Sequence, residues 1–371
     1  MSGAVSTVRV AGPHAYPLAP GSDVGGEVYE RMLLERLPSH GIELIVGVPG
    51  DHRALGLPEG VRVEVIGHRL GLHWTRAPLR FTPWVVRLLR AGGIDVLRAH
   101  SVRHVGPSLL LGRALARSRV PVVIHHHHFF PRWARLEAAI LRRADAVITV
   151  SEFSRAELVR AGVLVARIHV VRDGIARPPR TAGWPAAWPA GDGLRLLELG
   201  RLEPRKRPEL GIDTLAQLRH TGAPVSLVIA GDGPMAGELA ARASAAGVGE
   251  RVRLLGRVSE QDKWRLLDTA DVLLFGSTLE GFGLVVAEAQ SRGVPVVAAA
   301  GTATVEALDP GRSGVLVEPT AVAFAAAVAS LADGQRRAAM GAAAREFAAR
   351  FDWDRCASEV AGVYRTVAGA R

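Results

Sequence analysis

The sequence predicts an α/β protein built from two doubly wound, Rossmann-like domains. Three observations predict it. Short, β-branched apolar runs alternate along the chain with longer segments of helical period. The runs are continuously apolar, as expected of strands covered on both faces in a parallel sheet. One proline- and glycine-rich stretch at 176–193 (ARPPRTAGWPAAWPAGDG) breaks the alternation near the middle. A chain of 371 residues also exceeds what one core usually serves, roughly 250–300.

Taken in order, strands are expected at 43–48, 120–124, 146–150, 168–171, 194–199, 226–230, 252–255, 272–275, 295–299 and 315–317. Helices are expected at 26–37, 133–143, 154–161, 209–221, 235–246, 260–269 and 284–291. An alanine-rich helical tail follows at 321–350. A final helix at 351–371 is free to pack back on the first domain. The expected organisation is a first domain at 1–175, a linker at 176–193, a second domain at 194–350 and the last helix.

Charge divides at the same place. Residues 1–175 hold 23 basic and 14 acidic side chains, whereas residues 176–371 hold 23 and 22. Twelve of the thirteen histidines lie at or before His169. The excess of +10 points to a polyanionic partner, and the first half carries nearly all of it. Only Lys206 and Lys263 among the 46 basic residues are lysines. Cys356 is the one cysteine, so neither an internal disulfide nor a thiolate metal cage can form.

No apolar run is long enough to span a bilayer, and the first ten residues lack a leader pattern. The expectation is a cytoplasmic protein with peripheral contact to anionic membrane. Residues 68–90 (HRLGLHWTRAPLRFTPWVVRLLR) interleave aromatic residues with arginines and are one candidate for that contact. Their alternative is an arginine-decorated helix packed inward through Trp84, Val85, Leu88 and Leu89. No nucleic-acid recognition module is present, and none is expected as a partner.

Three segments of the second half suit a nucleotide-like ligand. Gly200-Arg201-Leu202-Glu203-Pro204-Arg205-Lys206 follows a strand, where doubly wound sheets bind ligands. Arg201 offers a planar fork and Lys206 a point charge to a diphosphate. Gly231-Asp232-Gly233-Pro234 reads foremost as a tight turn. The most informative segment runs from Ser277 to Glu288 (STLEGFGLVVAE). Gly281 and Gly283 leave the first-turn amides of a helix uncovered, which makes an anion site. Glu280 and Glu288 beside that site are justified by a hydroxyl-rich ligand, since acids otherwise repel phosphates.

These segments together resemble glycosyltransferase family 4, retaining enzymes of the GT-B fold. The resemblance extends over nearly the whole chain. It includes Gly25-Gly26 before a helix, Asp95 to His100, Ala144 to Ser151, and Val170-Val171-Arg172-Asp173-Gly174. Departures are Gly276 where proline is usual, Arg207 where glycine commonly follows the lysine, and Asp173 for a frequent asparagine.

The resemblance implies two Rossmann-like domains facing each other across a cleft, with a nucleotide-diphosphate sugar as donor and a UDP- or GDP-sugar foremost. Arg201 and Lys206 would neutralise the departing diphosphate. Glu288 would hold the ribose hydroxyls and Glu280 the transferred sugar. Amides of Gly281, Phe282, Gly283 and Leu284 would meet phosphate and sugar. Gly256, Arg257 and Val258 would lie by the base, and Gly25 and Gly26 by the β-phosphate. His127 would face the donor sugar, with His128 as its alternative and His100 a further residue of the acceptor side. The family resemblance also implies that no metal or cofactor is needed.

The run His125-His126-His127-His128 alternates faces on extended backbone, so only two of its rings point together, and a metal site is not expected. The acceptor is a small molecule or lipid of unspecified identity. A GT-B-type glycoside phosphorylase remains an alternative. A nicotinamide oxidoreductase is disfavoured because no G-x-G-x-x-G opens a helix after the first strand.

Overall fold

A computed structural model describes residues 7–14, 25–49, 57, 59–66, 79–191, 193–219 and 224–370. Two compact units emerge, Met1–Gly174 with Asp352–Arg371, and Ile175–Phe351.

The first unit runs β1 (Val8–Pro13), α1 (Gly25–Arg36), β2 (Ile42–Pro49), β3 (Val61–Ile66), α2 (Thr82–Ala91), β4 (Val96–Ala99), α3 (Gly106–Leu115), β5 (Val122–His126), α4 (Ala134–Leu141), β6 (Ala146–Thr149), α5 (Glu152–Arg160) and β7 (Ile168–Val170). Among the described residues, all seven strands pair in parallel, in the order β3-β2-β1-β4-β5-β6-β7. Alternate strand residues feed two cores. Val10, Val46, Val96 and Val123 meet α1 on one face, through Tyr29, Leu33 and Leu34. Ala11, Leu97, Val122 and Ile124 meet α2 to α5 on the other.

The second unit runs β8 (Leu194–Leu199), α6 (Glu209–Leu218), β9 (Val225–Ala230), α7 (Ala236–Ala245), β10 (Val252–Gly256), α8 (Glu260–Leu267), β11 (Val272–Phe275), α9 (Leu284–Ser291), β12 (Val296–Ala299), β13 (Gly314–Val317), α10 (Ala321–Ser330) and α11 (Gly334–Ala348). Among the described residues its six strands are also parallel, in the order β10-β9-β8-β11-β12-β13. The chain moves outward from β8 to β10, then returns to the other side of β8 at β11. That reversal is a topological switch point, and loops leaving the carboxyl ends of β8 and β11 flank it.

The last helix, α12 (Trp353–Gly369), packs on α1 and β1 through Trp353, Val360 and Tyr364, within the first unit. Gly174 makes this possible, since a Cβ there would stand 2.4 Å from the Trp353 backbone nitrogen.

Several expectations need correction. β1, β3 and β4 form where the apolar pattern predicts no strand. β5 runs two residues further than expected, because His125 and His126 continue the ladder against Ile148 and Thr149. The helical tail is two helices, broken at Asp333, whose carboxylate caps α11 by accepting from the Gln335 N–H at 2.9 Å. Residues 176–193, read as a linker, fall in the second unit. Trp188 there is buried, and its Nε1 donates to Thr269 Oγ1 at 3.2 Å.

Candidate active site

The loops after β8 and β11 are stitched together at the switch point. A single 3-10 turn, Pro204–Lys206, presents the Arg205 carbonyl to the Thr278 N–H at 2.9 Å and to the Ser277 and Thr278 hydroxyls. The Arg205 guanidinium donates back to the Leu279 carbonyl at 3.2 Å. This crossing delivers Lys206 Nζ to Glu280 Oε1 at 2.5 Å, with the ammonium 5.4 Å from the centre of the Phe275 ring. One half-buried cation and one largely buried carboxylate therefore share a site at the sheet's carboxyl end.

Gly283 starts α9 with φ of 100°, a left-handed conformation that strains any other residue. Phe282 beside it is buried edge-on against Phe351, with ring centres 5.0 Å apart. The loop is thereby clamped while its backbone leads into the helix start. One turn into α9, Glu288 Oε1 accepts from Lys263 Nζ of α8 at 2.8 Å, and Lys263 also meets Glu260 at 2.9 Å. Burial raises the Glu288 carboxyl above its ordinary value, and Lys263 draws it back. Lys263 itself is raised, because Glu288 and Glu260 outweigh its desolvation. Sequence reasoning missed Lys263. Its signal was present: the chain's two lysines meet the two glutamates singled out in the motif.

Arg201 is exposed and pairs with Glu203 at 2.7 Å, so the structure does not bring it to Glu280. The Gly231–Gly233 turn is explained by packing. A Cβ on Gly231 would stand 1.8 Å from the Gly200 carbonyl, and one on Gly233 2.5 Å from that of Leu202. Gly256 ends β10, where its carbonyl accepts from the Gly231 N–H at 2.8 Å, and the exposed Arg257 and half-buried Val258 follow. Gly25 and Gly26 open α1. A Cβ on Gly26 would touch nothing within 4 Å among the described residues, so packing does not demand its glycine.

Two departures from the family pattern meet in space. Arg207 sits in the left-handed region at φ of 53°, and a Cβ on Gly276 would lie 3.2 Å from the Arg207 carbonyl and 3.5 Å from its Cβ. Arg207 is held there by a 2.7 Å bond to the Pro319 carbonyl and a pair with Glu209. We expect Gly276→Pro to destabilise the protein more in the native background than beside Arg207→Gly. Chemical denaturation of the two single variants and the double variant should give a coupling of about 0.5–2 kcal/mol. Additive changes would show that the two positions do not sense each other.

In the first unit, the β-strand alternation sorts the histidine run. His125 and His127 both face Tyr29, at ring distances of 5.8 and 4.7 Å, while His126 turns to Phe129 on the opposite side. His125 bridges the Tyr29 hydroxyl through Nδ1 and the Tyr364 hydroxyl through Nε2, both at 2.9 Å. Tyr364 also accepts from Arg98 Nε at 3.0 Å. Arg98 grips Glu30 with both terminal nitrogens. Burial opposes ionisation of Glu30, but Arg98 prevails and holds the carboxyl at about 2. The His127 carbonyl accepts from Ser154 Oγ at 3.2 Å, and Ser154 is fixed in turn by the Ser151 cap of α5. Desolvation lowers the His127 imidazole to about 4, so at neutral pH it is an uncharged hydrogen-bonding group. His128 lies against Phe130, 4.6 Å between rings.

His100 follows β4 and stacks on His14 at 3.9 Å, with planes 13° apart. Among the described residues, His14, Glu30 and His100 form the group whose ligand atoms all lie within 4.8 Å. Their geometry disfavours an ion. Ring-nitrogen lone pairs lie in the ring plane, so two nearly parallel stacked rings cannot both aim at one point between them, and both Glu30 oxygens are taken by Arg98. Residues 68–78 of the arginine–aromatic stretch lie outside the described residues. In the remainder, α2 buries Trp84, Val85 and Leu88 against the sheet, which is the inward-packed alternative.

The fold and these loops define a protein with two Rossmann-like units, one carrying two lysine–glutamate contacts, Lys206–Glu280 at its switch point and Lys263–Glu288 between α8 and α9. Comparison with known proteins supplies the family. The descriptions "Glycosyltransferase Family 4" and "Glycosyl transferases group 1" match residues 24–177 and 187–347. The phosphatidyl-myo-inositol mannosyltransferase of Mycobacterium leprae is 32% identical over 93% of this chain and 94% of its own length. A glycogen synthase of Mycobacterium tuberculosis is 36% identical over 62% of this chain, which spans only 56% of that relative. The crystal structure of Anabaena HepE in complex with UDP and glucose matches with a TM-score of 0.76 at 21% identity, covering 97% of this chain and all of that one. The chain belongs to glycosyltransferase family 4 and has the GT-B class of fold.

Proposed function

We propose that the protein transfers a sugar from a nucleotide-diphosphate donor to an acceptor hydroxyl with retention of configuration and without a metal. The observation that carries this reading is the pair of contacts in the second unit, Lys206–Glu280 at the switch point and Lys263–Glu288 between α8 and α9. Each joins a cation suited to phosphate with a carboxylate suited to sugar hydroxyls. The M. leprae relative is named a phosphatidyl-myo-inositol mannosyltransferase, and the HepE crystals hold UDP and glucose, which supports a nucleotide sugar.

In this reading, the bond from the anomeric carbon to the β-phosphate oxygen breaks, and that oxygen leaves with the electron pair. Lys206 and Arg201 answer the charge it gains. The departing oxygen takes the acceptor's proton as the acceptor oxygen bonds to the anomeric carbon on the same face. Positioning and charge stabilisation supply the catalysis, so no protein nucleophile is required. Glu288 holds the ribose and Glu280 the transferred sugar. The neutral His127 hydrogen-bonds a sugar hydroxyl. The acceptor belongs with the more basic first unit, and its identity as small molecule or lipid is open to assay.

A thermal-shift series with UDP, GDP, TDP, ADP, NAD and inorganic phosphate tests this. Uridine or guanosine diphosphate should raise the melting temperature, since saturating ligand at a hundredfold its Kd adds about 2.7 kcal/mol. Stabilisation by NAD alone, or by phosphate with no nucleotide effect, would overturn it. Among the described residues no helix is long and apolar enough to cross a membrane.

A further inference from the structure

We infer that the turn after β5 and the outer face of α4 form a docking surface for an anionic lipid bilayer. Phe130, Trp133 and Leu136 expose 39%, 40% and 49% of their surface. Arg132 and Arg135 stand exposed among them, and Arg143 continues the stripe one turn beyond Ala139. Apolar residues spaced among arginines on one face allow rings and aliphatic carbons to enter the headgroup boundary while guanidinium groups stay with phosphates.

The display is built rather than incidental. Glu137, buried at the base of α4, accepts from the Phe130 N–H at 3.2 Å and pairs with Arg103 at 2.8 Å. The Arg103 guanidinium in turn covers Phe130 at 4.7 Å and Trp133 at 5.6 Å. A buried carboxylate thus fixes the turn that holds two aromatic side chains outward.

Charge points to the same occupant. Residues 130–145, the turn and α4 with its end, carry four exposed arginines (Arg132, Arg135, Arg142 and Arg143) against two acids. Of those acids, Glu137 is buried and Asp145 is paired with Arg113. A nucleic acid fits less well. Phe130 and Trp133 already present ring faces to Arg103, and Arg132 lies 5.5 Å from the Trp133 ring, leaving less face for base stacking. Exposed Leu136 serves a lipid and not a phosphate backbone. This surface replaces α2 of the 68–90 stretch as the candidate, since α2 turns Trp84, Val85 and Leu88 inward. The inference does not depend on the donor chemistry proposed above.

Vesicle co-sedimentation of the full chain tests it, with equimolar phosphatidylglycerol and phosphatidylcholine against phosphatidylcholine alone. Anionic vesicles should retain the protein at low salt and neutral ones should not. Each arginine removed near the surface should lower partitioning roughly fivefold, so Arg132→Ala with Arg135→Ala should lower it about 25-fold. Trp133→Ser with Leu136→Ser should abolish the fraction that survives high salt. All four positions are exposed, and unchanged melting temperatures of the variants would confirm intact folding. No retention on anionic vesicles would overturn the inference, as would equal retention of both variants. So would finding that the same substitutions instead split a dimer in solution or remove binding to RNA.

Discussion

Glu288→Ala is expected to lower nucleotide-sugar turnover by about two to four orders of magnitude while the protein stays folded. In the proposed reading this partly buried carboxylate accepts from two ribose hydroxyls, making two charged hydrogen bonds of about 1.5–3 kcal/mol each. Folding should survive because Lys263 keeps Glu260 as a partner at 2.9 Å when Glu288 is gone. Glu288→Gln, which can still hydrogen-bond a hydroxyl, should recover part of the loss. Lys206→Ala should behave differently: in the proposed mechanism it removes charge at the leaving group, so it should depress kcat more than it raises KM. Steady-state kinetics with the nucleotide sugar identified by thermal shift would show this contrast. Near-native rates for Glu288→Ala would remove the site assignment, even if the family membership stands.

The loops after β8 and β11 stood out in the sequence as a candidate site because the residues that mark them are local. Glu280, Gly283 and Glu288 lie within nine residues, and strand, turn and helix follow one another there without interruption. The second half also gave clean strands, since β9, β11 and β12 are nearly all aliphatic. The first unit was harder to read for a physical reason. β4 places Arg98 in the middle of a central strand, where a charge argues against burial. Its charge is neutralised by Glu30, 68 residues earlier, and its Nε–H is satisfied by the Tyr364 hydroxyl, 266 residues later. No window of sequence shows such partners together. β1 was obscured in the same way by Arg9, whose guanidinium reaches Glu43 of the neighbouring strand. His125 likewise looked like part of a polar strand end. It is buried because two tyrosines from α1 and α12 satisfy both ring nitrogens. Periodicity reports which side chains are apolar, but it does not report which polar ones have distant partners.

Asp173→Asn is expected to stabilise the first unit at alkaline pH and to change little at acid pH. Asp173 is buried beside the crossing of Gly174 and Trp353, and its Oδ1 has no hydrogen-bond partner among the described residues. Desolvation raises its carboxyl to about 8, so the folded protein holds a neutral acid there at neutral pH. A neutral carboxyl has nearly the shape of the asparagine common at this position in the family. In the unfolded chain the same group titrates near 3.9. Between those two values the folded state binds one more proton than the unfolded state. Stability is therefore fully present below about pH 4 and falls by about 1.4 kcal/mol per pH unit up to pH 8, where the loss is complete. Tyr29 and Cys356 nearby are raised by burial, Cys356 further by Asp173, and both stay neutral across this range. Asparagine removes only the Asp173 titration, so subtracting the two stability–pH curves cancels every other group. The difference should grow from near zero at pH 4 to roughly 5–6 kcal/mol by pH 8–9, on the order of ten degrees in Tm for a unit of this size. A flat difference across that window would mean that Asp173 is ionised in the folded protein, and that an unseen donor reaches its Oδ1.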